Sequence, residues 1–354
     1  MNDLLKIEAL FLKLEEALKE KLPFVVFRYP KSDKIQLWIQ NSNELIQNSA
    51  FDVEGFVFAP FDLKDEVVIF PETASQQFEA SLSDVKFEEH VQIEKIQSDS
   101  EKSRTFHISL VASGIDFLNN SNCRKVVLSR KEQVDVPNFD LVVAYKSMLQ
   151  KYDNACVYLW SHPKVGVWMG ASPERLLKFE NNKIETTSLA GTQAFSEKLT
   201  WGEKELEEQQ IVTDYIADVL EDHVESVQID GPKTSKAGSL AHLKSVLTGK
   251  LKSTSQLKDI IEKLHPTPAV CGMPKEQSQD FLSTHEKYNR SFYTGFFGEL
   301  SFRKATNLFV NLRCLQYRNK KVYIYVGGGI TAASKAENEW EETVAKADIM
   351  KAIL

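Results

Sequence analysis

The chain has 354 residues, of which 42% are apolar and 26% are charged, and its formal net charge is −7. This composition is typical of a soluble globular protein with a large core. The negative charge, with no basic stripe to offset it, argues against non-specific binding to nucleic acid. No apolar run approaches the roughly 18 residues that a membrane helix needs.

The four cysteines are scattered along the chain and form no Cys-x-x-Cys pair; they are Cys123, Cys156, Cys271 and Cys314. Such spacing predicts structural thiols in a reducing compartment and argues against a disulfide framework or a zinc site. The acidic N-terminus, Met1 to Pro23, is unlike a secretory signal. We therefore expect a cytoplasmic protein.

The predicted elements begin with a helix from about Leu4 to Lys21, with a broad buried face formed by Leu4, Leu5, Ala9, Leu12 and Leu14. Short β-type runs follow at Phe24–Tyr29, Lys34–Gln40, Val53–Pro60 and Val67–Phe70. The polar, acidic stretch from Glu72 to Glu101 predicts a mobile surface connection. A helix is expected over Thr105 to Asn119.

Hairpins and helices alternate irregularly in the rest of the chain. In order, we predict a strand at Lys125–Ser129, a helix at Phe139–Lys151, hairpins at Cys156–Met169 and Glu174–Ser188, helices at Glu203–Val227, Ser255–Leu264 and Lys275–Lys287, a hairpin of Leu308–Gln316 with Lys321–Val326, and a final helix. This mixture predicts an α+β fold with large antiparallel sheets and not a series of βαβ units.

The last fifth of the chain combines a glycine cluster with aligned charges. Without side chains, Gly327, Gly328 and Gly329 would let the backbone approach a bound group closely. Glu339, Glu342 and Lys346 follow at spacings of three and four, so they share one face of a helix. This arrangement could hold a divalent cation and an anionic ligand. The alternative is a glycine-rich turn before a solvated helix with an ordinary Glu–Lys pair.

A second helix offers carboxylates at the same spacing, at Glu205 and Glu208. Two such helices could clamp one hard cation such as Mg²⁺, which prefers a few carboxylates together with waters and substrate oxygens. The alternative is a solvated acidic first turn, which the helix dipole favours in any case.

Two other residues have the character of a base and an acid. Lys125 begins an otherwise apolar strand and could act as a general base if it is drawn into the interior; alternatively it extends to water at the strand end. Glu174 follows small residues and a proline that could hold it rigidly as a proton donor; alternatively it pairs with Arg175 on the surface.

Two histidines and an arginine complete the candidates. His265 lies in a loop with two prolines and could either anchor that loop or belong to a site. His242 has apolar neighbours and could be a satisfied core histidine. Arg313 is the only charge in Phe309–Leu315, so it needs a partner if it is buried, and a substrate carboxylate would serve.

Together these segments resemble the chorismate-utilising enzymes, which include isochorismate, salicylate, anthranilate and aminodeoxychorismate synthases. The matching pieces occur in order over about residues 105–354: Lys125–Arg130, Gly170–Glu174, Leu189–Thr192, Lys204–Glu208, Leu240–Leu243, His265–Gly272, Asn311–Arg313, Gly327–Ile330 and Glu339–Lys346. The resemblance implies the fold of that family. We expect residues 101–354 to form the chorismate-binding catalytic region and residues 1–100 to be a β-rich part packed on the same core.

The resemblance also implies roles for individual residues. Lys125 matches the base that activates water, and Glu174 matches the acid that protonates the departing C4 hydroxyl. Glu208 and Glu342 match the Mg²⁺ ligands. Glu205 and Glu339 match residues that contact those ligands or reach the ion through a water molecule. The positions expected to contact chorismate are Leu189, Gly191, Thr192, His242, Ala269, Tyr293, Arg313, Gly327 and Lys346.

Within the family, Ala269 and Lys125 indicate water as the nucleophile, which implies isochorismate synthase activity. Tyr293 and Leu312 also occur together in salicylate synthases, so that activity is the nearest alternative. Less favoured alternatives are an amine-forming synthase and a non-catalytic chorismate-binding protein. Gln209 departs from the histidine that the family usually has after the metal-binding Glu. We expect a small-molecule substrate, no nucleic-acid or membrane partner, and a monomer or weak dimer; the downstream pathway stays open.

Overall fold

The computed structural model describes residues 3–82, 100–237, 240–253 and 256–354, and most of its strands lie in two sheets. The first sheet has ten strands in the order β1 (Asp3–Leu5), β6 (Ser75–Ser81), β3 (Lys34–Gln40), β2 (Phe24–Arg28), β8 (Cys156–His162), β9 (Gly166–Ser172), β17 (Cys314–Arg318), β18 (Lys321–Ile330), β7 (Lys125–Asp135) and β14 (Gly272–Met273).

The second sheet has eight strands, in the order β12 (Gln228–Ala237), β13 (Leu240–Lys250), β11 (Lys183–Ala194), β10 (Arg175–Glu180), β16 (Ala305–Val310), β15 (Phe296–Leu300), β4 (Gly55–Ala59) and β5 (Val68–Pro71). The helices of the described ranges are α1 (Ile7–Glu20), α2 (Glu101–Asn119), α3 (Leu141–Lys151), α4 (Glu203–Glu221), α5 (Leu257–Leu264), α6 (Lys275–His285) and α7 (Ala336–Lys351). Only β1 and β6 pair in parallel among these strands, which confirms the α+β class with large antiparallel sheets.

The two sheets pack face to face through an aromatic core. Phe58 of β4 stacks on Trp160 of β8 with ring centroids 4.6 Å apart, and Phe70 of β5 stacks on the same indole at 5.5 Å. Helices α1 and α3 and the end of α7 cover the outer face of the first sheet, while α4 and α5 cover that of the second. The layers therefore run helix, sheet, sheet, helix.

Burial on both faces explains why several strands are continuous apolar runs. In β2, Phe24 and Val26 face the outer helices, whereas Val25 and Phe27 face the aromatic core. Successive side chains of a strand point to opposite faces, so a strand between two hydrophobic layers needs apolar residues throughout. The same pattern recurs in β8.

The N-terminal prediction is wrong in its first turn. Helix α1 begins at Ile7, because Asp3–Leu5 pairs with β6 as a strand. Leu4 and Leu12, which we expected to be buried, have 78% and 60% of their surface exposed. The buried face of α1 is formed by Ile7, Leu10, Phe11, Leu14 and Ala17, so the amphipathic helix itself is present.

The expected connection from Glu72 to Glu101 is partly structured. Glu72–Ala74 forms a 3₁₀ turn and leads directly into β6, whose Phe78 and Ala80 are buried in the core. Residues 83–99 lie outside the described residues. Strands from the first 82 residues join both sheets, and the division of the chain at residue 100 stays a prediction.

The hairpin of β12 and β13 was not expected from the sequence. The acidic helix α4 ends at Glu221 and not at Val227, and the chain then forms these two strands. Strand β12 is at the edge of its sheet and is largely exposed, so it has no apolar alternation that would predict a strand. Its register shifts near Pro232, where the backbone has no N–H to donate.

Two of the places where the chain crosses between the sheets are adjacent. Strand β9 of the first sheet continues into β10 of the second, and β16 of the second continues into β17 of the first. The N–H of Val310 donates to the carbonyl of Glu174 at 3.0 Å, and the N–H of Ala171 donates to that of Arg313 at 3.1 Å. Glu174 and Arg313 therefore lie on neighbouring crossings. The prediction of one strand over Leu308–Gln316 is wrong, because the chain changes sheets within it.

A buried ion pair connects the start of β7 to the loop that precedes β14. Arg290 pairs with Glu286 and donates to the carbonyls of Val127 at 2.6 Å and Val270 at 2.9 Å. Glu286 accepts from the N–H and the hydroxyl of Ser129 at 2.8 and 2.7 Å. Both charged side chains are almost fully buried. The pair therefore holds together two segments that carry candidate site residues.

We predict that Arg290→Met destabilises the fold strongly. The substitution leaves the Glu286 carboxylate buried without its counter-charge, which costs about 3–5 kcal/mol of unfolding free energy. The control is Lys258→Met in α5, which breaks the exposed Lys258–Glu262 pair and should cost no more than about 1 kcal/mol. Urea denaturation of both variants measures the difference, and equal costs would contradict the prediction.

Candidate active site

A cavity lies where the two crossings meet α4, α7 and the end of β18. The empty space within it, including open solvent at its mouth, is about 740 Å³. Fifteen of the residues singled out from the sequence line it: Glu174, Leu189, Gly191, Thr192, Glu208, His242, Ala269, Tyr293, Leu312, Arg313, Gly327, Gly328, Gly329, Glu342 and Lys346. The structure thus brings together residues that are spread over more than 170 positions of the chain.

The three glycines lie within β18 and not in a turn. They pair with Val127, Leu128 and Ser129 of β7. A Cβ at Gly327 would lie 2.7 Å from the Leu128 carbonyl oxygen and 3.0 Å from the Tyr293 hydroxyl, and a Cβ at Gly329 would overlap the Glu208 carboxylate. The absence of side chains here lets charged groups reach the backbone, as expected from the sequence.

Three Lys–Glu ion pairs surround this glycine segment. Lys125 Nζ lies 2.9 Å from Glu208 Oε1, Lys204 Nζ lies 2.6 Å from Glu339 Oε1, and Lys346 Nζ lies 2.7 Å from Glu342 Oε1. Lys346 also donates to the carbonyl of Gly327 at 3.0 Å. The three alternatives that placed these charges in solvent are wrong for Lys125, which has no exposed surface, and for Glu208 and Glu339, which are buried.

The charge of each partner decides how these carboxyls titrate. Burial raises the pKa of Glu208, but the charge and hydrogen bond of Lys125, together with the charges of Lys204 and Lys346, outweigh burial and hold that pKa below the ordinary value. For Glu339, burial and the neighbouring charge of Glu342 raise the pKa, and Lys204 opposes them. The Oε2 atom of Glu339 is buried and forms no hydrogen bond of ordinary geometry in the described part of the chain.

The donor set is compatible with Mg²⁺, although it is not a complete cage. Glu339 Oε2 and Glu342 Oε1 lie 3.5 and 3.6 Å from the Cβ position of Gly328, and Glu208 lies beside Gly329. Among the described residues, no three acidic, His or Cys side chains form a ready cluster for a metal ion. Mg²⁺ commonly binds through one or two carboxylates and completes its shell with waters and substrate oxygens. The buried Oε2 of Glu339 is a further oxygen ligand of the right kind.

Glu205 has a different position from the other acidic candidates. Its Oε2 accepts a hydrogen bond from the N–H of Gly202 at 3.1 Å and so caps the start of α4. Its backbone and Cβ lie against Gly191. Gln209, the departure from the family pattern, donates to the Ser188 carbonyl at 3.2 Å and to the Ser245 hydroxyl at 3.1 Å. It therefore ties α4 to β11 and β13.

Glu174 is a buried carboxyl at the cavity wall. It has 2% of its surface exposed, and Arg175 pairs with Glu185 instead, so the alternative of a surface Glu174–Arg175 pair is wrong. Burial raises the pKa of Glu174 to about 8, although the charges of Lys125 and Arg313 act in the opposite direction. A carboxyl with this pKa is largely protonated at neutral pH, which is the state that a general acid requires.

Arg313 and His242 line the cavity and contact each other. Arg313 adopts φ 46°, a left-handed conformation that non-glycine residues rarely use, and its Nη2 lies 2.6 Å from His242 Nε2. Because the guanidinium can only donate, Nε2 is the acceptor and Nδ1 carries the proton, which it can give to the Gly191 carbonyl at 3.2 Å. Burial and the charges of Arg313 and Lys346 lower the pKa of His242 to about 3. The imidazole is thus a neutral support for the arginine.

His265 anchors a loop and does not line the cavity. Its Nε2 lies 3.1 and 3.0 Å from the carbonyl oxygens of Pro60 and Phe61, which confirms the first of the two predicted alternatives. Burial and the charge of Lys275 lower its pKa to about 4. The loop that it holds contains Ala269, which reaches the cavity.

Sequence reasoning missed two residues of the site. Tyr325 lines the cavity and stacks on Tyr293 at 5.4 Å. Its position two residues before Gly327 places it on the same face of β18, so the period of a strand could have indicated it. Lys204 pairs with Glu339 across 135 residues, and no local pattern marks that contact.

Comparisons with known proteins show which family the chain resembles. The model of the family described as chorismate binding enzyme matches residues 61–354. Isochorismate synthase DhbC of Bacillus subtilis is 30% identical over 190 residues, which are 50% of this chain and 48% of that protein. Isochorismate synthase EntC of Escherichia coli is 25% identical over 309 residues, 82% of this chain and 78% of that one. The alignments thus span from about half to about three quarters of these relatives.

The fold is shared with solved structures. The chain of DhbC from Bacillus anthracis superposes with a TM-score of 0.81 and 21% identity, covering 97% of this chain and 98% of that chain. At this identity the likeness concerns the fold alone, and it confirms the fold predicted from the sequence motifs. Among the described helices, none combines the length and the apolar character needed to cross a membrane.

We predict that Glu174 makes the fold less stable as the pH rises. Its pKa is about 8 in the folded protein against an ordinary value of 4.5. The protonated carboxyl therefore supports folding fully below pH 4.5, and this contribution is lost as the pH rises through 8. Glu174→Gln removes the titration, so the variant should gain stability relative to the parent between these values and then level off.

Thermal denaturation of both proteins from pH 5 to 9 measures this gain. One pKa unit corresponds to about 1.4 kcal/mol, so the gain should be several times larger than the error of the measurement. Glu180→Gln is the matched control, because Glu180 ends the same strand, β10, in solvent. Parallel pH profiles for the parent and Glu174→Gln would contradict the prediction.

Proposed function

The chain belongs to the chorismate-binding enzyme family, and from this premise we propose that it is an isochorismate synthase. The reaction adds water at C2 of chorismate while the C4 hydroxyl leaves as water, so the composition of the molecule is unchanged. The observation that carries the proposal is Glu174: a buried carboxyl with a pKa of about 8, aimed at a cavity that cationic groups also line.

Cationic side chains of the cavity suit the two carboxylates of chorismate. Arg313 is held in place by His242, and Lys346 is held by Glu342 and the Gly327 carbonyl. Planar guanidinium groups bind carboxylates with two parallel hydrogen bonds. We assign Arg313 and Lys346 to substrate binding. Tyr293 and Tyr325 offer an aromatic surface for the ring.

Proton transfer is assigned to two buried groups. Glu174 donates its proton to the departing C4 hydroxyl. Lys125 first releases its own ammonium proton to solvent, and the neutral amine then accepts a proton from the attacking water. Lys125 is fully buried behind Gly329, with its ammonium against Glu208. The proton from water returns Lys125 to the ammonium form, and Glu174 takes up a proton from solvent. Ala269 at the cavity wall leaves space for the water and for the new hydroxyl.

Glu208 and Glu342 are the residues that would hold Mg²⁺, one from each of the helices α4 and α7. When bound, the ion supplies positive charge for a substrate carboxylate. Glu339 has a buried oxygen of the same chemistry nearby, and Glu205 is engaged in capping α4. That Glu205 and Glu339 contact the metal ligands, or reach the ion through a water molecule, stays a prediction.

The proposed activity predicts isochorismate as the main product when the purified protein is incubated with chorismate and Mg²⁺ at neutral pH. Chromatography of the products tests this directly. Excess chelator should stop the reaction. Without Mg²⁺, the negative charges of Glu208 and Glu342 face a negatively charged substrate. Stoichiometric salicylate and pyruvate would favour a salicylate synthase. An amino product in a parallel reaction with ammonium salt would overturn the assignment of water as the nucleophile. No turnover would favour a non-catalytic chorismate-binding protein.

We further predict that Lys125→Ala and Glu174→Gln each lower kcat by about 10²- to 10⁴-fold with little change in KM, because a positioned proton-transfer group contributes that much to the rate. Steady-state kinetics measures both constants, and circular dichroism checks that the variants fold. Lys131→Ala and Glu180→Gln are matched controls, since both residues are exposed on the same two strands, β7 and β10. Near-normal kcat in either test variant removes that residue from the mechanism.

A further inference from the structure

The charges around the glycine segment of β18 balance one to one. Three buried or half-buried carboxylates each have a lysine within 3 Å: Glu208 with Lys125, Glu339 with Lys204, and Glu342 with Lys346. The pairs also act on one another, because the charges of Glu339, Glu342 and Glu208 all influence Lys204. The protein therefore presents a locally neutral cluster before any ligand binds.

Lys204 is the lysine that the proposed reaction does not use. It lies in the first turn of α4 and reaches across to Glu339 in the first turn of α7. Glu339 has 3% of its side chain exposed, whereas Lys204 has 28%. The ammonium thus lies at the outer edge of the cluster and joins the two helices that carry the proposed Mg²⁺ ligands.

An ammonium at this position opposes the binding of a cation. Lys204 repels a divalent ion in the cluster and occupies one oxygen of Glu339, leaving the buried Oε2 as the only oxygen that could reach an ion. Charge interactions over a few ångströms are strong where the surroundings exclude water. Removal of the lysine would leave three carboxylates against two lysines, a more negative cluster with a third free ligand.

We propose that Lys204 is a built-in counter-cation that restrains Glu339 and keeps divalent-cation binding weak until a dicarboxylate ligand arrives. This rests on the proposed function, which supplies the cation and the dicarboxylate. A divalent ion alone would add two positive charges to a neutral, poorly hydrated cluster. A ligand with two carboxylates cancels them, so each of the two should strengthen the binding of the other to the same extent.

The test is calorimetric titration of Mg²⁺ into the substrate-free protein. Lys204→Met should lower the Kd for Mg²⁺ by about tenfold or more, and should strengthen Ca²⁺ binding as well, because Ca²⁺ takes more oxygen ligands. Arg124→Met is the control: it breaks the exposed pair between Arg124, just before β7, and Glu207 of α4 and should leave both constants nearly unchanged. An unchanged or higher Kd for Mg²⁺ in Lys204→Met overturns the proposal.

A second variant keeps the proposal testable if Lys204→Met does not fold. Glu339→Gln leaves Lys204 as an uncompensated cation, so Mg²⁺ should bind about tenfold more weakly. The double variant, Lys204→Met with Glu339→Gln, restores neutrality and should return towards the parent affinity. In chelator, the melting temperature should fall for Lys204→Met and recover in the double variant. Equal Mg²⁺ affinity in Glu339→Gln and the parent overturns the proposal.

The outcomes separate this proposal from the proposed function. If the parent protein makes isochorismate with Mg²⁺ and the variants show no change in cation affinity, the role of Lys204 is wrong and the function stands. If the parent makes another product but Lys204→Met binds Mg²⁺ more tightly, the counter-cation stands and the reaction is wrong.

Discussion

Close approach of charged side chains to one strand is the constraint on which the site depends. Gly327, Gly328 and Gly329 have no side chains, so Glu208 from α4 and Glu342 from α7 can lie against the backbone of β18. A methyl group at Gly329 would occupy the space of the Glu208 carboxylate and of the Lys125 side chain. The strand must also stay regular to pair with β7, which an irregular turn would not allow.

Crossing strands supply the opposite wall. Two neighbouring strands leave one sheet and enter the other side by side, and hydrogen bonds link their crossings. Regular strands point successive side chains to opposite faces, whereas an irregular crossing can direct a side chain between the sheets. Glu174 and Arg313 occupy such positions, and the left-handed backbone of Arg313 shows the cost that this placement carries.

Burial gives each charged group of the site its particular state. Glu174, with no counter-charge in hydrogen-bond contact, has a pKa of about 8, while Glu208, paired with Lys125, has a pKa below the ordinary value. Two carboxyls of one cavity thus differ in protonation because one has a lysine partner and the other does not. One-to-one pairing also leaves the three Lys–Glu pairs around β18 neutral as a group. The charge of the first ligand to bind therefore determines whether a cation or an anion is favoured next.

Local patterns in the sequence determined the elements and the residue types of the site. Hairpins, the spacing of carboxylates on two helices and the glycine cluster follow from chain periodicity, and the order of the motifs identified the fold. Apolar runs such as Leu308–Gln316 did not reveal that the chain changes sheets at Arg313, because both halves are buried and look alike. Only the tertiary structure decided that Lys204 meets Glu339 and that Glu174 is buried apart from Arg175. Pairing of charges and loss of water depend on surfaces brought together from distant parts of the chain, and no local pattern specifies them.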